Sequence, residues 1–373
     1  MQEQASDCLT QLNAFISDAS FTLKNIISIN FFLSAGDRTG YHEMVREVGN
    51  CLPGEIRTGI PVAYLAQAPA NGSFISAEVY YVAELGNSDF ITREEEGNRY
   101  LVIQDASGDK LVIGNGIGND SHPKNITGDA EKVFGIMDKI LRKEGLDFSH
   151  VFRQWNYIED ITTVETDRGN RQHYQQFNNV RSDYYSRADF KMGYPAATGI
   201  GIRAGGVIIS FFAASPGKYH TLAVENPLQK AAFHYTEEVL VGDAEFPGSC
   251  KCTPKFARAK LLVNHESRQV FISGTASIRE EVTIEENDVA RQTEVTLDNI
   301  QKLISRETLL TTHWTERELT QITFIRVYIK YPEHHPAVKE ICGRRLPGIP
   351  GIFVVSDVCR ENLLVEIEAL ASV

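Results

Sequence analysis

The feature that most constrains the fold is a pattern that occurs three times along the chain without a gap. Residues 21–33 (FTLKNIISINFFL), 146–158 (LDFSHVFRQWNYI) and 317–329 (RELTQITFIRVYI) each begin with a short polar stretch and run into a β-rich segment. Internal repetition of this kind indicates several copies of one structural unit. The chain has 373 residues, a length that would otherwise suit two or three unrelated domains. We therefore expect three copies of one unit.

The segments around each repeat predict the same order of elements. Apolar residues at helical spacing precede the repeats, within residues 9–16, 133–141 and 297–304. A second helix follows each repeat, and a pair of strands closes each unit, at 60–66 with 74–82, 199–204 with 207–213, and 352–358 with 363–371. Hairpins at 99–114 and 257–276 precede the second and third repeats. This order predicts an α+β fold in which helices cover one face of a mixed sheet.

The repeats also predict the limits of the units. Residues 1–94 form a first, incomplete unit that lacks the hairpin, and residues 95–214 form the second. Residues 256–373 form the third unit, which carries the candidate catalytic residue. The stretch 215–255 is rich in proline and glycine and reads as an insertion or linker.

Composition and charge exclude several classes of function. The formal net charge is −12, so the attraction to phosphate on which most nucleic-acid binders rely is missing. No apolar run approaches the ~20 residues of a membrane span, and the polar, acidic start is unlike a signal peptide. The sequence therefore predicts a soluble, cytoplasmic protein without nucleic-acid or membrane partners.

No metal and no cofactor are predicted. The six cysteines are sparse, and Cys250 and Cys252 lack both the spacing and the further ligands of a metal site. The histidines offer no pair four residues apart on a helix. The segment 114–118 (GNGIG) lacks the spacing of a dinucleotide-binding loop.

The predicted unit resembles the Rid (YjgF-like) fold. In the third unit, residues 272–278 (ISGTASI) are similar to the family's strand ending in Ser-Gly, and residues 364–369 (LVEIEA) are similar to its closing motif. Members of that family usually form trimers with a small-molecule site at each subunit interface. The resemblance therefore implies three Rid-like units in one chain, which form an intramolecular pseudo-trimer.

A combination of motifs gives a more particular resemblance. The chain carries YPAATGIG at 194–201, FARA at 256–259, FISGTASI at 271–278 and a terminal VEIE. Together these motifs resemble the chorismatases, which act on chorismate, release pyruvate and leave a dihydroxycyclohexadiene carboxylate or a hydroxybenzoate. The chain departs from the pattern at 279–281 (Arg-Glu-Glu), where a small residue is expected.

Chorismate chemistry requires an acid. Cleavage of its enol ether needs a proton on the vinyl methylene, which produces an oxocarbenium-like centre that water or an internal hydroxyl captures. Glu366 is the predicted general acid, because it lies on the last strand against a mostly apolar wall that raises a carboxyl pKa. Glu368 points to the same face and is the competing candidate. The equivalent position is Ile209 or Ser210 in the second unit, and Ser76 or Glu78 in the first, which predicts one working site.

The two carboxylates of such a substrate need cationic donors, and Arg258 and Arg203 are predicted to supply them bidentately. Gly274 and Thr275 are expected to let backbone amides approach the ligand. The remaining predicted substrate-binding residues come from the motifs above: Tyr194, Thr198, Gly199, Phe256 and Ala276. The stretch from Tyr194 to Gly199 replaces the segment where Rid deaminases keep a carboxylate-binding arginine, which argues against imine deamination.

Cys359, seven residues before Glu366, resembles the pocket cysteine of the subgroup that forms 3-hydroxybenzoate. The predicted function is therefore a chorismatase that forms pyruvate and 3-hydroxybenzoate, with chorismate as its small-molecule partner. Three alternatives stay open, namely a hydrolase that yields the trans-dihydroxycyclohexadiene carboxylate, a Rid-like enamine or imine deaminase, and a non-catalytic binder. The chain is expected to be a monomer or a weak homo-oligomer.

Overall fold

The computed structural model describes residues 7, 8, 10, 11, 14, 22–83, 86–118, 125–166, 170–242, 251–264, 267–311 and 321–372. Most of the helix predicted within residues 9–16, and Cys250, lie outside these ranges. The described part contains seven α-helices: α1 (Arg38–Cys51), α2 (Gly54–Gly59), α3 (Ile126–Lys143), α4 (His173–Tyr185), α5 (Val289–Leu303), α6 (Arg306–Leu310) and α7 (His335–Arg345). None of them is long and apolar enough to cross a membrane.

The strands of the described residues are as follows: β1 (Ile26–Leu33), β2 (Val62–Leu65), β3 (Ala68–Pro69), β4 (Ile75–Tyr81), β5 (Asp89–Glu95), β6 (Asn98–Gln104), β7 (Lys110–Ile117), β8 (Val151–Glu159), β9 (Val164–Glu165), β10 (Arg171–Gln172), β11 (Ala196–Ile202), β12 (Val207–Ala214), β13 (His220–Val224), β14 (Ala259–Val263), β15 (Arg268–Ala276), β16 (Ile278–Arg279), β17 (Val282–Thr283), β18 (Gln321–Ile329), β19 (Gly351–Val355) and β20 (Val365–Ser372).

These strands build three main sheets, and the central strands of the three sheets are arranged in the same way. The orders are β2-β1-β4, β11-β8-β12-β7-β6-β5 and β13-β14-β15-β20-β18-β19-β3. In each sheet the strand of the repeat pairs in parallel with one neighbour and antiparallel with the other, as β1 does with β2 and β4. Strands β8 and β18 do the same. The predicted mixed sheets, with helices between their strands, are therefore confirmed.

The three longest helices form where an apolar face and a capping residue coincide. Asn125 precedes α3, and its side chain accepts a hydrogen bond from the Gly128 amide at 2.8 Å. Asp37 and Asp288 cap α1 and α5 in the same way. The face of α3 predicted from the spacing is buried: Val133, Ile136, Met137, Ile140 and Leu141.

Strand pairing corrects two details of the sequence interpretation. Glu366 lies opposite Tyr328, and the equivalent pairs are Tyr157 with Ile208 and Phe32 with Ser76. The second unit therefore places Ile208, and not Ile209 or Ser210, at the position of Glu366, because the register decides the partner. In addition, residues 220–224 of the predicted insertion form β13, which extends the third sheet by pairing with β14.

Candidate active site

A cavity of about 610 Å³ lies between the second and third sheets. One wall comes from α4 and β11, and the opposite wall comes from β15 and β20. Seven of the predicted site residues line it: Gly199, Phe256, Arg258, Gly274, Ala276, Cys359 and Glu366. A volume of this size suits a small organic molecule.

Glu366 is a buried carboxyl group that faces this cavity. It lies on β20 between the buried residues Val365 and Ile367 and is 4% exposed. Burial and the neighbouring charge of Glu368 raise its pKa to about 8, against the opposing influence of Arg153 and Arg258. Glu366 is therefore mostly protonated at neutral pH and can donate a proton to a bound molecule.

The Ser-Gly motif makes room for that carboxyl group. The ladder between β15 and β20 is interrupted between Ile272 and Thr275, which leaves Gly274 facing Glu366. A Cβ atom at position 274 would overlap Oε1 of Glu366 and come within 3.1 Å of Cγ2 of Thr198. Glycine is therefore required here by close approach.

Glu368 does not line the cavity and is held as an anion behind it. Its carboxylate accepts hydrogen bonds from Arg153 Nη2 at 2.7 Å, Trp155 Nε1 at 2.8 Å and Thr198 Oγ1 at 2.5 Å. Burial opposes its ionisation, but Arg326, Arg153 and these hydrogen bonds outweigh burial and lower its pKa. The two carboxyls of β20 are thus separated into a neutral and a charged group.

Among the described residues, three arginines line the cavity, and sequence reasoning found one of them. Arg258 is buried, and its Nη2 donates to the carbonyl of Lys230 and the hydroxyl of Tyr235, each at 2.7 Å. Its Nε has no hydrogen-bond partner within the described residues. Arg181, on α4, and Arg360 complete the set. These guanidinium groups can bind carboxylates.

The structure does not bring Arg203 to the cavity. Arg203 follows β11, its residue is exposed, and it lies near Asp160. Burial and Glu159 raise the pKa of Asp160, and Arg203 opposes that rise only in part. Arg181 was missed because the sequence interpretation followed the apolar residues of α4. The spacing of Tyr174, Asn178 and Arg181 places them on one face of that helix, and all three line the cavity. This pattern could have predicted Arg181 as a site residue.

Three other predicted site residues lie behind or beside the cavity wall. Thr198 is buried and accepts a hydrogen bond from the Gly274 amide at 3.1 Å while it donates to Glu368. Thr275 donates to the carbonyl of Ser273 at 2.9 Å. Tyr194 stacks on Tyr185 with ring centroids 6.0 Å apart. Thr198, Thr275 and Tyr194 do not line the cavity.

Cys359 and Tyr174 flank Glu366. Burial and the proximity of Glu366 raise the pKa of the Cys359 thiol to about 12, so the thiol is neutral and is not a nucleophilic thiolate. The ring of Tyr174 packs against Gly199, where a Cβ atom would come within 2.8 Å of Cε2. Among the described residues, no group of three or more His, Cys, Asp or Glu side chains could hold a metal ion.

Comparisons with known proteins agree with this geometry. Residues 93–213 match the family model "Chorismatase FkbO/Hyg5-like, N-terminal". A chorismatase of Streptomyces rapamycinicus is 32% identical over 251 residues, which cover 66% of this chain and 70% of the relative. The chain belongs to the chorismatase family.

Two further relatives of the family come from Streptomyces hygroscopicus. A 3-hydroxybenzoate synthase is 34% identical over 234 residues, and a chorismatase is 32% identical over 231 residues. Each match covers 61% of this chain, and the matches span 65% and 63% of the two relatives' lengths, slightly less than two thirds. A chorismatase crystal structure has the same fold, with a TM-score of 0.71 at 23% identity, and the match covers 93% of this chain and 92% of that one.

Proposed function

We propose that this protein is a chorismatase that cleaves the enolpyruvyl ether of chorismate into pyruvate and 3-hydroxybenzoate, with Glu366 as the general acid. The observation that carries the proposal is a protonated, buried carboxyl group at the wall of a cavity that three arginines also line. The substrate is a dianion whose reactive carbon is a vinyl methylene. The cavity offers what this substrate needs, namely cations for two carboxylates and one proton donor.

The first step is proton transfer from Glu366 to the vinyl methylene. The substrate carboxylates are bound by guanidinium groups, and Arg258 is the cavity-lining arginine whose charge influences Glu366. Protonation of the methylene leaves a positive charge on the neighbouring carbon, which is bonded to the ether oxygen. The newly formed Glu366 carboxylate stabilises this charge electrostatically. The ionised Glu368 behind the acid adds negative charge on the same side.

The aromatic product follows when the neighbouring ring hydroxyl captures the cationic carbon. That oxygen then leaves the ring carbon, the adjacent ring C–H loses its proton, and the resulting hemiketal collapses to pyruvate and a phenol. Protons given up by the hydroxyl and the ring C–H replace those taken up by the methylene and the phenol oxygen. The reaction therefore consumes no water overall, whereas the hydrolytic alternative consumes one water molecule and keeps the ring hydroxyl.

The neutral thiol of Cys359 supports the aromatic product. It occupies the cavity wall beside Glu366 with a small, weakly polar group. Such a group fills space next to the cationic carbon without holding a water molecule there. The name of the 3-hydroxybenzoate synthase relative is consistent with this choice of product.

We also propose that the three sheets belong to three Rid-like units arranged as an intramolecular pseudo-trimer, near the predicted limits 1–94, 95–214 and 256–373. The pairing moves β5 from the first unit into the second sheet, and β3 and β13 extend the third sheet from outside its unit. The shared arrangement of β1, β8 and β18 with their parallel and antiparallel neighbours supports this proposal. The cavity would then be the one retained site between the second and third units.

The decisive experiment is incubation of the purified protein with chorismate. Pyruvate is measured with lactate dehydrogenase, and the organic acids are separated by chromatography. We expect equal amounts of pyruvate and 3-hydroxybenzoate. Absence of pyruvate at millimolar chorismate would refute the activity, and the dihydroxycyclohexadiene carboxylate as main product would replace the proposed reaction with hydrolysis. Ammonia release from enamines without turnover of chorismate would instead indicate a deaminase.

A further inference from the structure

Four buried charges form a row that runs from the first sheet to the site. Glu78 lies on β4, Arg326 on β18, Glu368 on β20 and Arg153 on β8, and the side chains of all four are at most 5% exposed. Glu78 and Arg326 are outside the cavity lining. The row therefore connects the incomplete first unit with the strand that carries Glu366.

The guanidinium fork of Arg326 is directed at Glu78. Its Nε donates to one carboxylate oxygen of Glu78 at 2.7 Å, and its Nη2 donates to the other at 2.7 Å. Only Nη1 approaches Glu368, at 3.1 Å, and it also donates to the hydroxyls of Tyr157 and Tyr328, each at 3.0 Å. Glu78 thus holds the bidentate interaction, and Glu368 receives a single, shared contact.

The charges in this row balance in pairs. Glu78 and Arg326 cancel one another, and Glu368 and Arg153 do the same. Without the charge of Glu78, the row would carry one excess positive charge, and the fork of Arg326 would be available to Glu368. Both changes favour the ionised form of Glu366, the carboxyl group next to Glu368 on β20.

We propose that Glu78 is a positioning residue for catalysis, which keeps the proton on Glu366 by engaging the fork of Arg326 and so leaving the charge of Glu368 only partly neutralised. This inference rests on the proposed role of Glu366 as the general acid. It gives the first unit, which has Ser76 at the position of Glu366, a function in the reaction that occurs between the other two units.

Several other groups act on Glu366, and none of them contacts Glu78 directly. They are Glu368 on its own strand, Arg153 on β8, Arg258 before β14, Tyr174 on α4 and Cys359 before β20. A change at Glu78 therefore reaches Glu366 through Arg326 and Glu368. The substitution leaves the cavity wall itself unchanged.

The test is the pH dependence of kcat/KM in Glu78→Gln. We expect the alkaline fall to move down by about one pH unit, the lower end of the effect of one nearby charge. That shift means an unchanged rate at pH 6 and an about tenfold lower rate at pH 9. Glu144→Gln is the matched control, because Glu144 is also buried and pairs with Arg93 and Lys110. A profile of Glu78→Gln that coincides with those of wild type and the control would overturn the proposal.

A double variant separates charge from packing. Glu78→Met with Arg326→Met removes one charge of each sign, so its alkaline fall should not move below that of the wild type, whereas a fall about one pH unit below that of the wild type overturns the proposal. Glu78→Asp keeps the charge and should restore most of the wild-type profile. If Glu78→Gln does not fold, these two variants still decide the matter.

Infrared titration of the protein without substrate keeps this proposal distinct from the proposed activity. The protonated-carboxyl band that Glu366→Gln removes should titrate at lower pH in Glu78→Gln than in the wild type. An unshifted band overturns the role of Glu78 whether or not chorismate is turned over. A wild type that shows the band but releases no pyruvate refutes only the proposed function.

Discussion

Two carboxyl groups on one strand illustrate how local contacts decide chemistry. Glu366 and Glu368 point to the same face of β20 and are both buried. Glu368 accepts hydrogen bonds from Arg153, Trp155 and Thr198, so it is ionised. Glu366 faces the cavity with a raised pKa and keeps its proton. Sequence alone left the choice between them open, because alternation along a strand gives them the same direction.

Replacement of the acid tests this assignment. Glu366→Gln should reduce the rate of pyruvate release by roughly 10²- to 10⁴-fold, the usual contribution of a general acid. Circular dichroism should be unchanged, because the amide occupies the same space. Glu333→Gln, at an exposed glutamate, is the control and should keep full activity. Activity retained in Glu366→Gln would assign the proton transfer to Glu368 or another group.

The rate should depend on the protonation of Glu366. Its pKa is raised to about 8, and a general acid works only when protonated, so kcat/KM should fall as the pH rises through about 8. The measurement is kcat/KM from pH 6 to 10 in buffers of constant ionic strength. A rate that increases through this range would contradict the assignment, because it would indicate a base.

The thiol beside the acid should influence the product. In Cys359→Ala the smaller side chain leaves space for water next to the cationic carbon, so the share of the dihydroxycyclohexadiene carboxylate should increase by about tenfold, an effect typical of small changes in a pocket. Chromatography of the products measures this ratio. Cys51→Ala, at an exposed cysteine, is the control. An unchanged ratio would remove Cys359 from the choice of product.

The interruption in β15 is an element-scale feature that connects the two walls of the cavity. Ser273 accepts a hydrogen bond from the Ala197 amide of β11 at 2.9 Å and donates to the carbonyl of Ala257 at 2.6 Å. The irregular position therefore holds β11, β15 and the segment before β14 together. The next residue, Gly274, faces the acid.

A methyl group at this position should displace the acid. Gly274→Ala places a Cβ atom in the space of the Glu366 carboxyl, and a misplacement of about 1 Å typically costs about 10²-fold in rate. Pyruvate release should fall by at least that factor. Gly343→Ala is the matched control, because nothing lies within 4 Å of a Cβ atom there. Equal activities of the two variants would show that the close approach at Gly274 has no role.

Element order was largely readable from the sequence, whereas the partners of each side chain were not. The repeated strands, the two closing strands of each unit and the two hairpins follow from periodicity and turn residues. The predicted pairing of the two closing strands with each other was wrong, because they lie on either side of the repeated strand. Arg181 and Arg360 were missed because they reach the cavity from a helix and a loop far apart in the sequence. Arg203 was misplaced because its strand continues past the cavity. Strand β13 was missed because its pairing with β14 is a tertiary contact.

At the scale of the whole molecule, the three repeats share one core. Phe32, Tyr157 and Tyr328 occupy equivalent positions in the three repeated strands, are fully buried and belong to the same apolar cluster. The similarity of the three segments in the sequence reflects this common packing. The motif also predicts which segment carries the proposed acid. The proposed role of Glu78 was not predictable from the sequence, because it depends on the side chains of β4, β18 and β20 that meet in the folded chain.

The cavity walls also have a consequence for dilution. Tyr174 and Gly199 on one wall, and Gly274 and Glu366 on the other, belong to a single covalent chain. A site shared between separate subunits disappears when the subunits dissociate, but a tethered site keeps its high effective concentration at any dilution. The specific activity should therefore stay constant from micromolar to sub-nanomolar enzyme, with carrier albumin added to prevent adsorption. A loss of activity on dilution would show that a second copy of the chain completes the site.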